Sequence, residues 1–217
     1  MAPPPDINRH QPVASPGGTA PAFIGLTGAV ASGKSEALAA FARLGAATLS
    51  SDAVTHELLD ASEVREQLVE RWGEAVLVDG RLERARVGEI VFGRPDELAW
   101  LESVLHPLVG ERIVEWRRSL PGETALAVVE VPLLFETGME GVFDATVCVV
   151  ADDSTRAARA GDRGTELLEG RSDRQLSQDE KAARATHVIR NDGSLAELED
   201  QVARLVPALT ALAPGAA

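Results

Sequence analysis

A single cysteine stands among 217 residues, which excludes any intrachain disulfide. A chain without disulfides suits a reducing cytoplasm. Cys148 lies in the apolar run Val147 to Val150 and reads as a small buried hydrophobe. Basic residues are scarce as well: 21 Lys and Arg against 34 Asp and Glu leave a formal net charge of -13. Such a chain repels a polyanion, which argues against nonspecific nucleic-acid binding. The argument does not reach a small anionic substrate, because one local basic pocket outweighs a distant global charge. No stretch approaches the roughly 18 unbroken apolar residues of a membrane helix. The segment Met1 to Pro21 lacks the apolar block of a signal peptide. It holds six of the twelve prolines, with Gly17 and Gly18, and reads as a disordered tail, as does Ala213 to Ala217. No internal repeat is visible.

What is present is a globular chain. Hydrophobic residues make up 45% and charged residues 25%, enough to bury a core. The length suits one α/β domain with insertions, or a core plus a small subdomain. Phe23 to Thr27 is a short apolar run that predicts a buried strand. A helical pattern follows, with Ala37, Phe41 and Leu44 on one face and Gly45 as its terminating glycine. Ala46 to Leu49 predicts a second strand, and Ser50-Ser51-Asp52 offers N-cap chemistry for another helix. From Asp52 to Arg118 the pattern is mostly helical, with stripes at Val64, Leu68, Trp72 and at Leu98, Leu101, Leu105, Leu108. Pro95 predicts a helix start, and Pro107 predicts a kink or break near His106. Ala125 to Val131 and Ala145 to Val150 are strands apolar on both faces, the signature of a parallel sheet covered by helices. Residues 152 to 185 are polar, arginine-rich and helical in pattern. His187 to Ile189 predicts a last short strand, Asp192-Gly193 a turn, and Ser194-x-x-Glu197 a capping box before a helix. Alternating strands and helices give an α/β doubly wound core.

The stretch Gly28-Ala29-Val30-Ala31-Ser32-Gly33-Lys34-Ser35 fits the phosphate-loop pattern G-x-x-x-x-G-K-[ST] at every fixed position. Glycines let the backbone curl so that successive N–H groups point at phosphate oxygens. The helix that starts near Lys34 adds the positive end of its dipole. Lys34 is then expected to bridge the β- and γ-phosphates of ATP, and Ser35 to coordinate Mg²⁺. The position after an apolar strand and before an amphipathic helix is the context the motif requires.

Other residues are candidates for the remaining chemistry. Asp52 follows the second strand, where ligands of open α/β sheets bind. It can orient an acceptor hydroxyl and take its proton, or it can cap a helix; spacing alone leaves both open. Glu130 ends its apolar run as a Walker-B carboxylate does, as a metal partner or a structural carboxylate. His106 is a substrate contact or a structural histidine. Arg156, Arg159, Arg163, Arg171 and Arg174 form either a solvated face or a lid that neutralises charge during transfer.

Five blocks in order resemble the dephospho-CoA kinase family. They are Ile24 to Gly28 with Gly33-Lys34-Ser35, Ser51-Asp52-Ala53 with His56-Glu57, Leu105 to Leu108, Val131 to Gly138, and Asn191 to Leu195. The resemblance spans Phe23 to about Leu205. It implies a P-loop NTPase-type five-stranded parallel sheet with a helical dephospho-CoA subdomain at about 53–120 and an arginine-rich lid at about 152–184. The core would then be 22–52, 121–151 and 185–210. The activity implied is ATP-dependent phosphorylation of the ribose 3′-hydroxyl of dephospho-CoA, the last step of coenzyme A synthesis. Asp52 would be the base, and His106 with Pro132, Leu133 and Leu134 would line the acceptor site. Glu130 and Ser35 would serve the metal, and Arg171 would contact ATP. The catalytic lid arginine aligns with Arg163, or with Arg159 under another alignment. A cytoplasmic monomer is expected, with ATP and dephospho-CoA as partners and neither nucleic acid nor membrane.

The chain departs from the family pattern in places. Ser50-Ser51-Asp52 stands where Asp-x-Asp is frequent, Glu130 where aspartate is commoner, Ala29 and Ala31 where glycines are frequent, and Thr186 for a common aspartate. Two rival readings share the phosphate loop: another P-loop small-molecule kinase, and an ATP-binding regulator without transfer activity.

Overall fold

The computed structural model describes residues 20–161 and 175–214. The tail reading of the first residues and the middle of the arginine-rich stretch lie outside them. Contacts divide the chain into two units: one from residues up to Leu49 together with Leu120 onward, the other Ser50–Ser119.

The first unit is built on a five-stranded sheet. Its strands are β1 (Ala22–Gly28), β2 (Ala47–Ser50), β5 (Leu126–Glu130), β6 (Ala145–Val150) and β7 (His187–Arg190), in the order β2-β5-β1-β6-β7. β1 is central and pairs in parallel with β5 (Leu26 opposite Glu130) and with β6 (Gly28 opposite Val149). β6 pairs in parallel with β7. Every residue of β1, β5 and β6 is buried, as continuous apolar runs require. One face carries Ala22, Ile24, Leu26, Val128, Val147 and Val149. Against it pack Phe41 of α1 (Lys34–Arg43) and Leu198 and Val202 of α8 (Leu195–Thr210). The other face carries Phe23, stacked on Phe143 with ring centroids 4.8 Å apart, and is contacted by α7 (Gln178–Arg184). α6 (Asp153–Gly161) follows β6.

Local chemistry sets the ends of these elements. Gly45, at φ 88°, follows the cap residue Leu44 and turns the chain where a side chain would be strained. The expected capping box forms at Ser194 and Glu197, and a second one forms at Ser177 and Glu180. Thr186 and Thr146 exchange hydrogen bonds, each backbone N–H donating to the other's hydroxyl at 3.1 Å, and so fix the start of β7 beside β6.

The second unit is mostly helical: α2 (Ser51–Asp60), α3 (Ser62–Trp72), α4 (Arg84–Val91) and α5 (Pro95–Ser119). The mostly helical pattern holds, with one unexpected feature, and of the kink or break expected at Pro107 the break does not occur. A small antiparallel hairpin, β3 (Leu77–Val78) with β4 (Arg81–Leu82), interrupts the helices. Asp79 (φ 50°) and Gly80 (φ 74°) form its turn, an Asp-Gly pair with Val78 before it and Arg81-Leu82 after it, and Asp-Gly is a strong hairpin signal. Pro107 does not end its helix, for α5 runs unbroken through it. Pro107 cannot donate a backbone hydrogen bond, but buried Leu101 and Leu105 before it and Ile113 after it pin both halves. Packing here outweighs a local defect. Trp72 and Trp100 meet edge to face at 5.0 Å, and Glu97 accepts from Trp72 Nε1 at 2.8 Å.

Candidate active site

The phosphate loop leaves β1 at Gly28, at the carboxyl end of the sheet. Gly28 sits at φ 153°, and a side chain there would run into the Val149 carbonyl oxygen and lie 2.8 Å from Ser32 Oγ. Gly33 is left-handed at φ 92°, and a Cβ on it would collide with Asn191 Nδ2. Both fixed glycines are thus required by conformation and by close approach. Ala31 holds a left-handed conformation too (φ 59°), although it is not glycine. Ser32 N–H donates to the Ala29 carbonyl at 3.3 Å, and Asn191 Nδ2 donates to the Ser32 carbonyl at 2.9 Å. Val30 and Ala31 are half-buried at the loop's bend. Lys34 Nζ donates to the Ala29 carbonyl at 2.9 Å, folded back over the loop. Ser35, in the first turn of α1, is exposed. Gly33 provides α1 with no side-chain cap, so the first N–H groups of the helix have no side-chain acceptor there. Such a terminus suits an anion.

Beside β1, the neighbouring strand β5 ends in Glu130, which is 6% exposed. The chain then turns over the sheet edge. Val131 N–H donates to the Leu26 carbonyl at 2.8 Å. The Pro132 carbonyl accepts from Thr27 Oγ1 at 3.2 Å and from Lys181 Nζ at 2.6 Å. Leu134 is fully buried and packs so closely on Gly25 that a Cβ there would lie 2.5 Å from Leu134 Cδ1. Pro132 and Leu133 are half-exposed. Of the three residues of this segment expected at the acceptor, Leu134 is buried while the other two reach the surface.

Asp52 and His106 belong to the second unit. Ser50, not Asp52, is the N-cap of α2: its Oγ accepts from Ala53 N–H at 3.5 Å. Asp52 is the second residue of that helix and exposed, so the capping alternative for it falls away. His106 is exposed on α5. Among the arginines, Arg156 pairs with Asp153 at 2.5 Å. Arg159 Nη1 is buried and lies 3.7 Å from where a Cβ on Gly33 would be, next to the phosphate loop. Arg163 and Arg171 lie outside the described residues.

The sequence reading assigned no role to two residues that the fold brings to this site. Asn191 reaches the loop through its side chain. Lys181, one of only two lysines in the chain, is 0% exposed and pairs with Glu136 at 2.9 Å. A lysine within Gln178-Asp179-Glu180-Lys181 reads as solvated. Its one sequence signal was its rarity. Among the described residues no three His, Cys, Asp or Glu gather as a metal site. Oxygen donors from Ser35 and Glu130 fit Mg²⁺, which keeps several waters and takes substrate phosphates as ligands.

A parallel sheet with a phosphate loop at the carboxyl end of its central strand defines a P-loop nucleotide-binding protein. The family model described as dephospho-CoA kinase matches residues 22–197. A dephospho-CoA kinase of Symbiobacterium thermophilum is 39% identical over 83% of this chain and 78% of its own length. A dephospho-CoA kinase of Thermus thermophilus is 37% identical over 90% of this chain and 95% of its own. Among solved structures, TT1252 from Thermus thermophilus aligns with a TM-score of 0.75 and 36% identity, covering 87% of this chain and 98% of that one. The chain belongs to the dephospho-CoA kinase family.

Proposed function

We propose that this protein transfers the γ-phosphoryl group of ATP to the ribose 3′-hydroxyl of dephospho-CoA, giving coenzyme A and ADP as the last step of coenzyme A synthesis. The observation that carries the reading is the loop Gly28–Ser35, clamped by Asn191 and opening onto an α1 terminus without a side-chain cap. In the reaction a bond forms between the 3′-oxygen and the γ-phosphorus, and the bond from that phosphorus to the β,γ-bridging oxygen breaks. The hydroxyl proton goes to Asp52, and ADP leaves with the bridging oxygen.

Phosphoryl transfer runs through a loose transition state, so positioning and electrostatics supply most of the rate. Backbone N–H groups of residues 28–35 hold the phosphates. Lys34 exchanges the Ala29 carbonyl for β- and γ-phosphate oxygens. Asp52 orients the hydroxyl and receives its proton late. Arg159 is placed beside Gly33 to meet phosphate charge, while Arg163 and Arg171 are assigned to the lid by resemblance alone. Pro132 and Leu133 contact the acceptor, with Leu134 beneath them, and His106 is assigned to the acceptor by resemblance. Ser35 and Glu130 would hold Mg²⁺, which would neutralise phosphate charge when bound. The setting is cytoplasmic, in keeping with one buried thiol and with no described helix long and apolar enough to cross a membrane.

The test is ADP release from Mg·ATP with and without dephospho-CoA, with Lys34→Ala as the blank. Release that requires dephospho-CoA, with coenzyme A formed in equal amount, is expected. Release driven instead by a nucleoside or sugar would reassign the acceptor. ATP binding without release would make the chain a regulator.

A further inference from the structure

Lys181 touches both ends of one short segment. Its ammonium donates to the Pro132 carbonyl at 2.6 Å and pairs with Glu136 Oε1 at 2.9 Å, with no part of the lysine side chain exposed. Glu136, 11% exposed, accepts a second bond on the same oxygen from Leu176 N–H at 2.9 Å. The Pro132 carbonyl also receives Thr27 Oγ1 at 3.2 Å. One buried cation therefore spans the start and the end of Pro132–Glu136. The same carboxylate ties that segment to Leu176, the residue just before the cap of α7.

Stability alone accounts poorly for such a pair. Removing two charges from water is costly, and well-packed apolar residues of similar volume often serve a fold as well or better. The charged pair adds direction. Burial of Leu134 and Phe135 fixes the depth of the segment, since apolar contact is non-directional. It does not fix the rotation that decides where Pro132 and Leu133 point. Two charge-assisted bonds to fixed points of the segment do so.

We propose that Lys181, acting through Glu136 and the Pro132 carbonyl, is a positioning residue for the acceptor side of the site. It holds Pro132 and Leu133 in the orientation that receives dephospho-CoA. The proposal rests on the kinase reading above. The ATP side has its own supports, the Asn191 bond to Ser32 and the fit of Gly28 against Val149, so loss of Lys181 falls on the acceptor.

The experiment measures KM for each substrate, kcat and Tm in the wild type and three variants: Lys181→Met, Glu136→Gln, and the double variant Lys181→Met/Glu136→Leu. Lys181→Met leaves the mostly covered Glu136 carboxylate without its cation and is expected to melt early. The double variant removes both charges and is expected to recover most of the lost Tm. Its KM for dephospho-CoA is nevertheless expected to stay raised about tenfold or more, as misplacement by about an ångström can do, with KM for ATP near the wild-type value. Glu136→Gln keeps an acceptor oxygen for Leu176 and Lys181 and is expected to fold, with a smaller rise for dephospho-CoA alone. The proposal is overturned if the double variant regains both Tm and the wild-type KM for dephospho-CoA. It is also overturned if the KM for ATP rises equally in the Glu136→Gln protein. A wild-type chain that releases no ADP with dephospho-CoA sinks the kinase reading, and this proposal with it.

Discussion

Asn191 donates from its side-chain nitrogen to the Ser32 carbonyl oxygen at 2.9 Å, joining residues 159 apart in the chain. Asn191 is 5% exposed, and its backbone N–H is held by the Val150 carbonyl at 2.8 Å, so the side chain is aimed by the end of β7. The bond sets the curvature of the phosphate loop. Asn191→Ala leaves a buried carbonyl without its donor, at a cost of about 1–3 kcal/mol. The expected result is a raised KM for ATP with a lower Tm. Asn191→Asp is expected to be worse, since a carboxylate would face a carbonyl and the incoming phosphates. Measured ATP affinity ranks the pair, and wild-type affinity in the Asp variant would show that this bond does not shape the loop.

Lys34 and Asp52 divide the chemistry in the proposed mechanism. Lys34→Ala removes the only loop cation, and both KM for ATP and kcat are expected to suffer. Asp52→Asn keeps the size of the side chain but cannot take a proton. Its kcat is expected to fall by roughly 10²-fold or more, the scale of general-base loss, with KM for ATP nearly unchanged. Steady-state kinetics with circular dichroism as a folding check decide this. Near-normal kcat in a folded Asp52→Asn protein would remove the base assignment.

Much of the fold was legible because its signals are local. The apolar runs from Phe23, Ala125 and Ala145 became the three inner strands β1, β5 and β6, Gly45 ended α1, and Ser194 with Glu197 capped α8. The phosphate loop is eight consecutive residues whose conformation its own glycines dictate. What stayed hidden depends on contacts between distant residues. Nothing near Lys181 says that Pro132 and Glu136 lie 49 and 45 positions earlier to receive it. Pro107 reads as a helix kink or break because its defect is local, whereas the packing of Leu101, Leu105 and Ile113 that carries the helix through it is not. The Asp79-Gly80 turn was within reach of sequence reasoning, but the helical stripes on either side masked it.

Ala31 carries a left-handed φ of 59° although it is not glycine. That conformation costs an L-residue roughly 1–2 kcal/mol, while glycine adds about 0.4–1 kcal/mol of unfolded-chain entropy. Ala31→Gly is therefore expected to raise Tm slightly, by about 1–3 °C for a chain of this size, with kcat kept. Ala31→Val should lower Tm and ATP affinity together. Differential scanning calorimetry separates the outcomes, and a Tm that falls in the glycine variant would mean that Ala31 is not strained.

Cys148 is fully buried in β6 beside Thr27 of β1, and desolvation pushes its thiol up to about 11, against a lesser opposing pull from Lys181 and Lys34. The folded protein therefore keeps the proton that an exposed thiol gives up near 9.0. The sign follows from linkage: the stability tied to this proton is whole below about 9.0 and is lost as pH rises toward about 11. No tyrosine titrates in that window, because the chain has none. Cys148→Ala is therefore expected to lose less Tm than the wild type between those two pH values. At neutral pH a thiol-disulfide reagent should leave the native protein unlabelled and react once in denaturant. Fast labelling of the native chain, or parallel alkaline melting curves for the two proteins, would mean that β6 opens to solvent at Cys148.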